Sequence, residues 1–255
     1  MRHPVEMLFA ELTSVQPFPT GVVVVPERIP GTAFFPGGAG LWATAPGRPW
    51  PSMPTEGVMV LGHDFHSLNA FKETLARGGE VVIGADGEPQ SHVPSWTNLL
   101  GMLKEFGIPP ERCFFTNAYM GLRDANLATG KFPGARDATF VERCRTFLEL
   151  QLRAQRPRLI LTLGQWVPSF LAPLAERLSD WKSLTSLNAI DRAGPVRHEV
   201  RFNGNDMAPC SVVCLTHPSF RPLNVKKREY GGSKGGDAEH KMVIDAICQS
   251  GVTLP

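Results

Sequence analysis

A three-layer α/β fold, with a central and mostly parallel sheet between helices, is predicted by two features of this sequence. Val58–Leu61, Cys113–Thr116, Leu159–Leu163 and Ser211–Thr216 are continuous apolar runs with little alternation, as expected of strands buried on both faces. Segments with helical spacing separate them, which is the order of a parallel sheet joined by crossover helices. The 255 residues are 42% hydrophobic and 20% charged, enough to bury one sizeable core.

The chain opens with a segment dense in proline and glycine between residues 17 and 54. Val22–Val25 is its one strand-like run, so residues 1–56 are expected to be an irregular arm packed on a domain spanning 57–255. Phe34, Phe35, Trp42 and Trp50 in the arm argue for packing or binding. Beyond the first apolar run, Leu68–Arg77 is predicted helical, closed by Gly78-Gly79. Trp96–Phe106 is predicted helical up to Gly107. Asp137 suits the N-cap of a long helix whose Phe140, Val141, Cys144, Phe147, Leu148 and Leu152 share one face, with Pro157 as its stop. A helix is expected from Gln165, a polar stretch from Ser179 to Pro209, and a closing helix over Asp237–Gln249.

Composition excludes several classes. No apolar run approaches the roughly 20 residues of a membrane helix, and Glu6 and Glu11 interrupt any secretory pattern. Five cysteines, an odd number without scaffold spacing, point to reduced thiols and the cytoplasm. A net charge of +2 neither requires nor excludes a nucleic-acid partner, because a basic groove can be local.

Parallel sheets bind ligands beyond the carboxyl ends of their strands. Gly62-His63-Asp64-Phe65-His66 follows the first strand, Asn117-Ala118-Tyr119 the second and His217-Pro218-Ser219-Phe220 the last. Each alone reads as a turn or a cap. Three together place an acid, an amide and an imidazole on one rim. A chelating reading, with His63, Asp64 and His66 or Cys210, Cys214 and His217 around a metal, stays open but lacks a complete zinc spacing. A passive nucleic-acid-binding module on the same fold also stays open.

These blocks, with Leu161-Thr162-Leu163-Gly164, resemble in order and spacing the uracil-DNA glycosylase superfamily from about Val58 to Ile247. Cys144–Gly164 looks most like its iron–sulfur branch. That branch holds its cluster with four cysteines; here Gly121 stands at one such place and only Cys144 remains, so neither a cluster nor any other cofactor is expected. The resemblance implies a monofunctional DNA glycosylase acting on DNA as a monomer. Asp64 and His217 would be catalytic, the first stabilising the sugar cation and orienting water, the second donating to the pyrimidine O2. His63, Phe65, His66 and Asn117 would bind the base, with Asn117 on its Watson–Crick edge.

Two departures bear on substrate. His63-Asp64-Phe65-His66 replaces the Gln-Asp-Pro-Tyr of the strictest uracil enzymes, whose tyrosine closes against C5. His66 would lower that wall and admit a C5-modified pyrimidine, such as glucosylated hydroxymethylcytosine of phage DNA, alongside uracil. After His217-Pro218-Ser219, the position of an apolar wedge is held by Phe220 and Arg221. Ser219, Phe220, Arg221, Lys226, Lys227 and Arg228 are expected against DNA, and Trp96 is a candidate to stack on the base.

Overall fold

The computed structural model describes residues 3–26, 29, 31–42, 52–80, 82–83, 89–91, 93–124, 130–204 and 206–254. Trp50 lies outside them. Five strands form the central sheet: β1 (Val58–Gly62), β2 (Cys113–Asn117), β3 (Leu159–Leu163), β4 (Val196–Val200) and β5 (Cys210–Leu215), in the order β2-β1-β3-β5-β4. The first four in that order run parallel, and β4 pairs antiparallel with β5 at the edge.

The strands are apolar throughout because both faces are covered. Met59, Leu61, Phe114, Ile160 and Val212 enter one hydrophobic cluster with Phe147 and Leu148 of α4 (Ala138–Gln155) and Phe170 of α5 (Val167–Leu171). Val58, Val60, Phe115, Leu161 and Val213 enter another with Trp96 and Leu99 of α3 (Pro94–Glu105) and Met242 and Val243 of α8 (Gly235–Ser250). This alternation of strand side chains between two helical layers makes the α/β/α sandwich. The Asp137 carboxylate caps α4 by accepting from the Phe140 amide at 2.9 Å. Arg156 ends that helix in the left-handed region (φ 52°) just before Pro157.

Two elements differ from expectation. The expected irregular arm of residues 1–56 begins with a helix, α1 (Pro4–Glu11), which has Pro4 in its first turn and a capping box between His3 and Glu6. In the polar stretch, Val196–Val200 forms the edge strand β4, with a register shift between Arg197 and Val200. Its half-covered composition, with three polar residues in a row between two valines, hides it from a search for buried runs.

The N-terminal segment protects the opposite edge. The Phe35 amide donates to the Phe115 carbonyl at 3.0 Å, and the Phe115 amide to the Gly40 carbonyl at 2.7 Å, which occupies the free side of β2. Phe35 is fully buried and stacks on Phe147 at 5.8 Å. Arg143 ties the segment to α4 through the Val15 and Pro17 carbonyls. Val22–Val23 pairs with Leu122–Arg123, which fixes the chain beyond β2 and so positions Arg123.

Candidate active site

Strand register gathers the residues that follow the strands. Gly62 pairs with Asn117 and Leu163 with Leu215, so β1, β2, β3 and β5 end level. A cleft lies there. Asp64, Phe65, His66, Asn117 and His217 line it, with Phe34 of the arm and Glu80, Trp96 and Leu163. Two glycines make room. A Cβ on Gly62 would strike the Asn117 amide oxygen, and one on Gly164, at φ 91°, would crowd the His217 Cβ at 3.2 Å.

Asp64 is held as an anion. Burial alone would raise its pKa. Hydrogen bonds from His63 and Arg123, together with their charge, outweigh that and hold it below the ordinary carboxylate value. Arg123 grips it bidentately, Nε to Oδ1 at 3.0 Å and Nη2 to Oδ2 at 2.8 Å. His63 Nδ1 donates to Oδ2 at 2.6 Å. Arg123 is itself buried, braced by the Gly130 carbonyl at 2.8 Å and set over the Phe132 ring.

His217 is held neutral. Burial is the main cause and lowers its pKa to about 4, although the charge of Asp64 pulls it upward. Its Nδ1 accepts from the Ser219 amide at 3.2 Å, so the neutral ring carries its proton on Nε2. A donor of fixed tautomer results. Asn117 is buried at the end of β2, and among the described residues no hydrogen bond engages its side-chain amide.

Behind His217 lies an ionic anchor that the sequence did not reveal. Glu239 of α8 is wholly buried. It accepts from the Thr216 amide at 2.6 Å and from Arg228 Nη1 at 2.9 Å, and it also pairs with Arg221. Arg228 further pairs with Asp191 at 2.7 Å and donates to the Cys214 carbonyl at 2.7 Å.

Several expectations are corrected by these contacts. Arg228 is no DNA contact; its guanidinium is spent inside the protein on two carboxylates. Arg221 also turns inward, toward Glu239 and Glu105. His63 does not line the cleft and instead supports Asp64 from behind, edge-on to Tyr119. Ser219, Phe220, Lys226 and Lys227 remain at the surface. The most exposed large apolar side chain in this loop is Leu223, at 66%, ahead of Phe220 at 40%. Trp96 lines the cleft but is a core residue whose indole donates to Glu80.

Among the described residues no group of three or more His, Cys, Asp or Glu side chains is placed to hold a metal ion. Cys210 and Cys214 are buried thiols, each pushed by burial up to about 12. Cys144 lies in the core against α4's neighbours, likewise pushed up to about 12 by burial. Among the described residues no helix is long and apolar enough to cross a membrane.

A fixed carboxylate, a neutral imidazole donor and an unengaged amide thus surround one cleft. The family profile of the uracil DNA glycosylase superfamily matches residues 75–236, more than half of the chain, and the protein belongs to that superfamily. No curated protein matches the chain. The superfamily assignment brings with it DNA as partner and glycosylase chemistry as the general activity.

Proposed function

We propose that the protein is a monofunctional DNA glycosylase that flips a non-standard pyrimidine into this cleft and hydrolyses its N-glycosidic bond. The substrate is uracil or a C5-modified pyrimidine such as glucosylated hydroxymethylcytosine of phage DNA, and in the latter case the abasic sites would serve defence against invading DNA. The observation that carries the reading is the pairing, in one cleft, of an ionised Asp64 with a neutral His217.

The glycosidic bond breaks with its electron pair leaving on the base, while the sugar gains oxocarbenium character. Asp64 stabilises that cation and orients the water whose oxygen bonds to C1′, and the proton this water sheds ends on the departing base anion. With both oxygens already accepting from Arg123 and His63, it is a weak base and acts as a fixed negative charge. His217 donates its Nε2 proton in a hydrogen bond to the pyrimidine O2 as charge grows there. Asn117 reads the Watson–Crick edge, and Phe34, Phe65 and Trp96 wall the ring. Leu223 fills the vacated stack. Lys226 and Lys227 meet phosphates. In this reading residues 1–56 serve the domain of 57–255 by lending Phe34 to the cleft, and the protein works as a monomer in the cytoplasm.

Because burial lowers His217 to about 4 and Asp64 stays ionised, kcat/KM should be flat through the region near 6.5 where an ordinary histidine titrates. It should fall only as pH approaches about 4, where a second proton makes the imidazolium. An acid limb centred near 6.5 in the pH profile would count against a buried neutral donor.

Lys226→Ala and Lys227→Ala should each weaken DNA binding on any sequence. Each should reduce the slope of log affinity against log salt by about 1. A salt titration of binding checks this, and unchanged slopes would remove these residues from the interface. The substrate is settled by mass spectrometry of bases released from uracil-containing DNA and from phage DNA with glucosylated hydroxymethylcytosine. Release from either supports excision, and which base appears separates repair from defence. Release from neither overturns both substrate assignments.

A further inference from the structure

One carboxyl group in the cleft has no part in the chemistry at the glycosidic bond. Glu80 follows α2 (Leu68–Ala76), is 6% exposed, and lines the same cleft as Asp64, His66 and Asn117. Its Oε2 accepts from the Trp96 indole Nε1 at 2.5 Å. Its Oε1 stands 3.7 Å from His66 Nε2, beyond hydrogen-bond reach. One oxygen therefore fixes the orientation of the group, and the other keeps its acceptor capacity. The neighbour on that second side, His66, is part-exposed, with 39% of its side chain accessible, and both residues line the cleft.

A carboxylate is costly to bury unless hydrogen bonds satisfy it. A site built around such a group rejects ligands that leave it unpaired and favours those that donate to it. Uracil is a poor match, since it offers a carbonyl at C4 and only hydrogen at C5, and its one donor, N3–H, lies on the Watson–Crick edge assigned to Asn117. Cytosine's 4-amine could donate, but a pocket satisfied by that amine alone would attack ordinary DNA. The remaining donor is a hydroxyl carried on C5, on the side where His66 stands.

We infer that Glu80, oriented by Trp96 and flanked by His66, is a specificity-determining residue that accepts a hydrogen bond from a hydroxyl group on the C5 substituent of the flipped pyrimidine. This rests on the base-excision reading and narrows it. The hydroxyl belongs either to a hydroxymethyl group or to a sugar attached through one, and both present the same donor chemistry.

The test compares kcat/KM on duplexes of one sequence carrying uracil, 5-methylcytosine, 5-hydroxymethylcytosine or its glucosylated form. The methyl base controls for room at C5 without a donor. The wild-type protein should release at least one hydroxyl-bearing base tenfold or more faster than the methyl base and uracil. Glu80→Ala should cut that preference by tenfold or more, and Glu80→Gln by less, because an amide can still pair with a hydroxyl. A purely structural role in holding Trp96 would slow every base alike and leave the ratios unmoved. Ratios within twofold of wild type in Glu80→Ala, or a wild-type preference for uracil, would overturn the inference. Comparing the two hydroxyl-bearing bases identifies the source of the hydroxyl.

Binding of the same four duplexes by Asp64→Asn separates this inference from the reading beneath it. Tighter binding of hydroxyl-bearing duplexes, lost in Asp64→Asn/Glu80→Ala, supports Glu80 even if the wild-type protein released no base. Equal binding of all four would overturn it, even if excision were demonstrated.

Discussion

Asp64→Asn should lower the single-turnover rate of base release by about 10² or more while DNA binding persists, in line with the removal of one preorganised electrostatic group. The substitution keeps the size and outline of the side chain and removes only the negative charge facing the sugar. It also leaves Arg123 and the His63 Nδ1 proton pointing at a neutral amide. The uncompensated Arg123 charge then faces a developing cation, which is worse than presenting no charge there. Rapid-quench kinetics at saturating enzyme measures the chemical step, with circular dichroism to confirm the fold. A variant within threefold of wild type would mean that Asp64 is not the group that stabilises the sugar.

Arg228→Leu should destabilise the protein by about 3–5 kcal/mol, the usual cost of removing one partner from a buried ion pair. Asp191 and Glu239 would each lose a counter-charge, and Glu239, in a wholly buried position, would keep only its pair with Arg221. Urea denaturation measures the loss. The same substitution should leave the salt dependence of DNA binding by the surviving folded protein unchanged, unlike the changes at Lys226 and Lys227. A stable Arg228→Leu protein with a shallower salt slope would restore Arg228 to the DNA interface. Because Glu239 also accepts from the Thr216 amide next to His217, the damage should extend to activity through the position of the imidazole.

The parallel strands were legible because burial on both faces demands unbroken apolar runs, and Val58–Leu61 or Leu159–Leu163 can hardly be anything else. The edge strand Val196–Val200 was not, since one open side lets it carry Arg, His and Glu in a row between its two valines. The helix Pro4–Glu11 carried its own signals in Pro4 and Glu6, which the density of proline further on obscured. Asp64, Asn117 and His217 were readable as residues of one rim because each ends or closely follows a strand, and strand ends in a parallel sheet converge. Arg123, Glu80, Phe34 and Glu239 reach the site from a paired loop, a helix end, the N-terminal segment and the last helix. Nothing in local spacing marks such residues, because only tertiary packing brings them to the cleft. Arg228 was misread for a related reason. Lys226-Lys227-Arg228 looks like one charged surface, yet the chain turns between the second and third residues and sends the last inward.

The central claim is hydrolysis at C1′ without strand cleavage, and labelled water tests it most directly. A duplex bearing the excised base is incubated with the protein in H₂¹⁸O, and both products are weighed by mass spectrometry. The account predicts a free, unlabelled base and an intact strand whose abasic sugar carries one ¹⁸O. A labelled base still attached to the strand, or a strand cut at the site, would contradict it.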